Sequence, residues 1–314
     1  MWIRNRKGGQ DNSCNPTITP HPLKDDTSLR PENWNSVVHI MNTSGEARTA
    51  SGTQAVDRAL ALLALVGKGS GGGVPLTALV AESGLGKPTV RRLMLALIRG
   101  GLIEQDTQSR HYHLGAENYV LGTLATPRHG LLEIAAESVV RLARDSGDTA
   151  FVTMRRGATA VCLHRQEGSF PIRTHALTMG AQHPLGIGAG SLAMLAALPD
   201  DEVEAVLRDN ATLLAADYPD LGAGALRHEV ATTRTRGFAL NPGRVVPGSW
   251  GVGVALRRAD GSVAGALSLA AIESRMQPPR DSELATMLQR EALDIETRLA
   301  RRPIRAHSEK EQQL

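Results

Sequence analysis

Four cations crowd into "ESGLGKPTVRRLMLALIRGGL", residues 82–102: Lys87, Arg91, Arg92 and Arg99, with Thr89 among them. A guanidinium forks onto the O6 and N7 edge of guanine, while a lysine or a threonine hydroxyl meets phosphate and a threonine methyl packs on thymine. Such a set is equipped to recognise a polyanion whose bases can be read from a groove. Val90, Leu93, Met94, Leu97 and Ile98 recur at i, i+3, i+4, i+7, i+8, the period of a helix with one apolar face. That period turns Lys87, Thr89, Arg91, Arg92 and, further along, Ala96 to the opposite face. Pro88 suits the first helical turn, where its missing N–H is not needed, and Gly100 and Gly101 stop the helix. The whole chain carries 35 Lys/Arg against 32 Asp/Glu, and the surplus lies before residue 125, since residues 125–314 carry 22 of each. A local basic patch on a nearly neutral chain implies a local anionic partner.

The remaining candidates are weaker. "GIGAGS" (186–191) lacks the third-glycine spacing of GxGxxG and the lysine of a P-loop, and no strand is predicted before it, so no nucleotide is expected there. Two readings stay open: glycines opening a helix at 190–198 present backbone N–H groups to a carboxylate, or they let that helix pack closely on a sheet. His164, His175 and His183 come without HxH, HExxH, CxxC or GxSxG. Neither an enzyme nor a metal or cofactor site is expected. Cys14 and Cys162 match no disulfide or metal spacing, which suits a reducing compartment. Aromatic residues make up 3% of the chain, too few for a single-stranded RNA stacking platform. No apolar run approaches the roughly 18 residues of a membrane span, and the N-terminus lacks the apolar core of a secretion signal. A cytoplasmic protein without membrane contact is expected.

The elements around the basic helix give it a setting. "TQAVDRALALLALV" (53–66) predicts a helix with Val56, Leu60, Leu63 and Ala64 inward, and "GKGSGGG" (67–73) reads as a flexible connection that cannot hold a helix. "LTALVAESG" predicts a short second helix ended by Gly84. "LIEQDTQSRHYHLG" (102–115) predicts two short strands about a polar turn. Helix, short helix, glycine turn, basic helix and hairpin is the order of a winged helix-turn-helix, whose recognition helix lies in the DNA major groove. The hairpin tip, Gln108, Ser109, Arg110 and His111, would then touch backbone or minor groove.

Further on, a helix is predicted over 131–147 with Leu132, Ala135, Ala136, Val139, Val140 and Leu142 inward. Strands follow at 150–155, 158–164 and 171–177, helices at 190–198, 201–209 and 223–236, strands at 251–257 and 263–270 joined by an "ADG" turn, and a last helix at 279–301. Without regular βαβ alternation this is an α+β pattern, an antiparallel sheet with helices packed on it.

The run "QAVDRALALLALV … VPLTALVAESGLGKPTVRRLMLALIRGGLIEQDTQSRHYHLG" closely resembles the IclR family of bacterial transcriptional regulators, whose N-terminal domain carries "GLxxxTVxRLLxxLxxxGL" and a wing ending in "YxLG". The similarity continues through "HPLGIGAGSLAMLAALPDDEVEAVL" and "RTRGFALNPGRVVPGSWGVGVALRRADGSVAGALSLA", covering about residues 53–302. It implies a winged helix-turn-helix domain at 51–116, a linker helix at 117–130 and a GAF-like effector-binding and oligomerisation domain at 131–302. Residues 1–50, with Met41 as a second translation start, and 303–314 read as disordered. By resemblance the chain is a repressor that binds double-stranded DNA as a homodimer or tetramer, through Lys87, Pro88, Thr89, Arg91, Arg92, Ala96, Arg110 and His111. A small organic acid would be held by Ile172, His175, His183, Ala189, Gly190, Asn241, Ser249, Gly251, Ser268 and Ala270. The chain departs from the family's "PLHxTAxGK": Gly186 replaces the His, Gly188 the Ser/Thr, Ser191 the Gly and Leu192 the Lys, while Gly251 stands where a Cys is frequent. Reduced side-chain volume would suit a bulkier or more apolar ligand, or mark an effector-independent regulator whose second domain serves assembly.

Overall fold

The computed structural model describes residues 53–69, 71–173 and 177–301. The regions expected to be disordered fall outside the described residues.

Helix α1 spans Gln54–Lys68, α2 Leu76–Ser83 and α3 Lys87–Arg99. They bury one core in which Leu62, Leu65 and Val66 of α1 meet Leu79 of α2, Val90, Leu93, Met94 and Leu97 of α3, and Ile103 and Tyr112. The face predicted for α1 is therefore corrected. Val56 and Leu60 are 57% and 48% exposed, and Leu63 and Ala64 only half-buried. An Ala/Leu-rich helix offers two apolar stripes, and the partners on α2 and α3 select one. The expected break at Gly67 is also corrected, because the helix runs on through Gly67 and Lys68. A glycine costs a helix about 1 kcal/mol relative to alanine, less than the anchoring of Leu65 and Val66 returns. The end of that connection is held too: Val74 and Tyr112 exchange both backbone hydrogen bonds at 2.9 Å. Gly84 ends α2 in the left-handed conformation. Strands β1 (Ile103–Gln105) and β2 (Tyr112–Leu114) pair antiparallel as the hairpin.

Helices α4 (Ala116–His129) and α5 (Leu131–Ser146) follow. A six-stranded sheet then forms in the order β5-β4-β3-β8-β7-β6, every pair antiparallel. Its strands are β3 Thr149–Arg156, β4 Thr159–Gln166, β5 Gln182–Pro184, β6 Ala239–Val246, β7 Ser249–Arg257 and β8 Val263–Ile272. Helices α5 and α10 (Arg280–Ala300) cover one face, on Val152, Val252, Val254, Leu267 and Leu269. The other face takes α6 (Ala189–Ala196), α7 (Asp200–Asp209), α8 (Ala211–Asp217) and α9 (Ala223–Arg236). Fold class and architecture are those of an α+β chain with a winged helix-turn-helix at its start.

Several local expectations fail. Leu132 and Val140 of α5 are exposed and Ala136 is half-buried, while Leu131, Ile134 and Ser138 point inward instead. Among the described residues of the predicted strand 171–177, Pro171–Arg173 make no strand pairing. Strands β5 and β6 and helix α8 are additional. β6 reads "ALNPGRVV", and its Pro242 and Gly243 argue against a strand unless it lies at a sheet edge, where Pro is tolerated.

Candidate nucleic-acid interface and ligand site

Helix α3 is entered from Gly86 in extended conformation, with Pro88 in its first turn. Burial of Val90, Leu93, Met94 and Leu97 leaves Lys87, Pro88, Arg91, Arg92, Leu95, Ala96 and Arg99 exposed and Thr89 half-buried. Among the described residues no carboxylate pairs with Lys87, Arg91, Arg92 or Arg99, whereas the second half of the chain ties Arg141 to Glu291, Arg155 to Glu202, Arg227 to Glu204 and Arg234 to Asp200. Four exposed cations without a carboxylate partner thus lie together on the outward side of one helix. Leu95, 55% exposed beside them, was missed by the sequence pattern.

The hairpin tip is preorganised. Asp106 Oδ1 accepts from the Ser109 amide at 2.6 Å, the Ser109 hydroxyl at 2.7 Å and the Gln108 amide at 3.2 Å. These bonds hold its carboxyl below the usual range. The turn drives Arg110 to φ 62°, a left-handed conformation that a side chain adopts only under constraint. Its side chain is exposed. His111, by contrast, is half-buried, and its Nδ1 lies 2.8 Å from the Gly72 carbonyl, so part of that ring ties the wing to the preceding loop.

The expected ligand residues occupy several positions. His175 lies outside the described residues, and Ile172 is 58% exposed on the loop after β4. Register places Asn241, Gly251 and Ala270 in one row across β6, β7 and β8, with Ser249 and Ser268 two residues along on the same face. Ala189 and Gly190, opening α6, lie directly on that face. A Cβ on Gly190 would stand 3.2 Å from Ser268 Oγ and 3.3 Å from Thr153 Oγ1; one on Gly253 would stand 2.6 Å from the Ala189 carbonyl. Close packing of glycine on sheet is thus realised here.

The loop before α6 is locked as well. Ser191 Oγ accepts from the Gly186 amide at 2.9 Å and donates to the Pro184 carbonyl at 3.2 Å. The extra room expected at Gly186 is corrected: Leu195 and Leu226 come within 2.9–3.3 Å of where a Cβ would sit. A strand, β5, does precede this loop, but Ser191 consumes the amide of Gly186. A groove of about 560 Å³ lies elsewhere, at the far end of α6, bordered by Phe238, Arg257, Leu293 and Glu296, and none of the expected ligand residues lines it.

Two buried polar atoms on the α6 side of the sheet have no partner, Thr153 Oγ1 and His183 Nδ1. Burial pulls the His183 pKa from 6.5 down to about 4, so the ring is neutral at pH 7. An unfolded chain binds the proton more readily, and stability is complete above pH 6.5 and lost as pH falls through about 4. The expected loss is roughly 3 kcal/mol, read as a flatter stability-versus-pH slope in His183→Gln between pH 4 and 6.5; equal slopes would refute it. Burial likewise pushes the Cys162 thiol up to about 11, leaving it unreactive at neutral pH. Among the described residues no helix is long and apolar enough to cross a membrane, and no group of His, Cys, Asp or Glu is placed to hold a metal.

Comparison with known proteins bears on both halves. Residues 55–107 match the family described as "IclR helix-turn-helix domain", and residues 123–297 match "Bacterial transcriptional regulator IclR C-terminal". The chain is 28% identical over 241 residues to the HTH-type transcriptional regulator BhcR of Paracoccus denitrificans, covering 76% of this chain and 85% of the relative. It is 26% identical over 258 residues to the HTH-type transcriptional repressor AllR of Klebsiella pneumoniae, covering 82% and 94%. Among solved structures, an IclR homologue from Microbacterium hydrocarbonoxydans complexed with 4-hydroxybenzoate superposes with a TM-score of 0.64 at 18% identity, over 78% of this chain and 98% of that one. That last likeness is one of fold.

Proposed function

The chain belongs to the IclR family of bacterial transcriptional regulators, and from that premise we propose that it represses transcription in the cytoplasm by holding operator DNA as a homo-oligomer, under control of a small organic acid. The observation that carries the DNA half is the exposed face of α3, where Lys87, Arg91, Arg92 and Arg99 have no carboxylate partner among the described residues. In this reading α3 enters the major groove and Arg110 on the wing reaches the flanking backbone. AllR, named a repressor, supports the sign of regulation.

Helix α4 supports assembly. None of its described side chains is buried, and Tyr119, Val120, Leu121 and Leu124 are 80%, 46%, 50% and 73% exposed. A fourteen-residue helix is marginal alone in water, and a second copy laid on that surface would stabilise it. Two-fold pairing also presents two recognition helices to two half-sites.

The effector would sit where the opening of α6 meets Ser268 and the unpartnered Thr153 Oγ1, with His183 further along on edge strand β5. The same fold holds 4-hydroxybenzoate in the Microbacterium homologue. Gly190→Val is expected to abolish any effector response, to spare operator binding, and to cost about 1–3 kcal/mol by overpacking on Ser268; an unchanged response would place the ligand elsewhere. One observation favours a second reading, assembly without an effector: α6 already packs on the sheet, and Leu195 and Leu226 fill the space beside Gly186.

Binding to the protein's own upstream DNA, followed by fluorescence anisotropy across salt and across a panel of aromatic and aliphatic acids, tests the whole. Specific, salt-sensitive binding altered by one acid supports the gated repressor. Specific binding with neither an anisotropy change nor a thermal shift from any acid supports the second reading, and no specific binding refutes both.

A further inference from the structure

The outward face of α3 is not uniformly polar. At about 100° per residue, Leu95 lies between Arg91 and Arg92 on the helix circumference, close to the point opposite the buried stripe of Val90, Leu93, Met94 and Leu97. A helical side chain leans toward the N-terminal turn, so the isobutyl group of Leu95 lies over the turn that carries Arg91 and Arg92. It is 55% exposed, and Pro88 and Ala96 extend the apolar surface along the same side. Nothing in the domain core needs a leucine here. Glutamine or lysine would serve the helix equally well and leave less apolar surface in water.

Resting on the DNA-binding reading above, we infer that Leu95 is a specificity-determining residue that packs on the C5-methyl of a thymine next to the bases read by Arg91 and Arg92. The major groove displays that methyl as its one apolar mark. An arginine pair flanking an isobutyl group therefore discriminates in two chemistries at once: guanine by its acceptors, thymine by its methyl. Cytosine at the thymine position would present an amino donor to leucine, which cannot accept a hydrogen bond.

The test separates the methyl from everything else. The sequence bound by the full-length protein is first selected from random duplexes, and each thymine is then replaced singly by uracil, which removes only the methyl group. Wild-type affinity is expected to fall about fourfold at one thymine per half-site, the factor corresponding to about 0.8 kcal/mol for one methyl group. Leu95→Ala is expected to be indifferent to uracil there and to accept cytosine more readily, with an unchanged melting temperature because the side chain is exposed. Leu95→Met, which keeps an apolar reach, should retain the uracil effect. A Leu95→Ala protein as uracil-sensitive as wild type at every position, or a wild type sensitive at none, overturns the inference while leaving the DNA-binding reading intact. Failure to select any sequence overturns that reading, and this one with it.

Discussion

Arg91→Ala and Arg92→Ala are expected to weaken operator binding by about 1–3 kcal/mol per recognition helix, and by roughly twice that where a two-fold dimer presents each residue to both half-sites. Both side chains are exposed on α3, away from the buried stripe, so the substitutions should leave the melting temperature unchanged and the loss belongs to binding. The two need not behave alike. Whichever guanidinium forks onto a guanine edge should, when truncated, relax the base preference at one position; one that meets phosphate should lower affinity for all sequences and reduce the salt slope by about one. Anisotropy titrations of each variant against the selected site and against single-base variants, at several salt concentrations, distinguish these outcomes. If neither substitution changes affinity, α3 is not the reading element.

The parts of this fold that were legible in the sequence share one property, a contrast between adjoining faces. In α3 the apolar stripe and the cations alternate so clearly that only one orientation buries the first without burying the second, and Pro88 and Gly100 mark both ends. Helix α1 has no such contrast: along "QAVDRALALLALVGK" apolar residues occur on most faces, and Leu62, Leu65 and Val66 were selected by Leu79 and Met94, partners distant in the chain. Val140 of α5 misled for the same reason. Strand β6 was hidden by Pro242 and Gly243, since an edge position cannot be read locally. In the ligand region, "GIGAGS" left open whether its glycines present N–H groups to a carboxylate or pack their helix on a sheet. Only the fold brings Gly253 beneath the Ala189 carbonyl and shows that Ser191 holds the Gly186 amide.

The larger effect on stability is expected at Asp148, which no sequence motif singled out. Its carboxylate, 2% exposed, receives Arg275 through Nε at 2.7 Å and Nη2 at 3.1 Å and Arg280 through Nη2 at 2.7 Å. Both guanidiniums also donate to the Ser146 carbonyl, at 3.1 and 2.8 Å, where α5 ends with its partial negative charge. Arg275 lies over the Phe170 ring, 3.9 Å from its centre. One carboxylate therefore pins together the end of α5, the start of α10 and the loop after β4. Asp148→Ala leaves two cations side by side with their counter-charge gone. Losing one partner of a buried pair costs about 3–5 kcal/mol, and because the arginine side chains are 24% and 33% exposed the lower end of that range is expected. Arg280→Met should cost far less, within about 1 kcal/mol, since its Nε already lacks a partner and Arg275 still engages both carboxylate oxygens. Thermal or urea denaturation of the two variants decides the matter: a large loss for Asp148→Ala beside a small one for Arg280→Met places the clamp on the carboxylate, whereas equal losses would place it on the packing of the arginine stems.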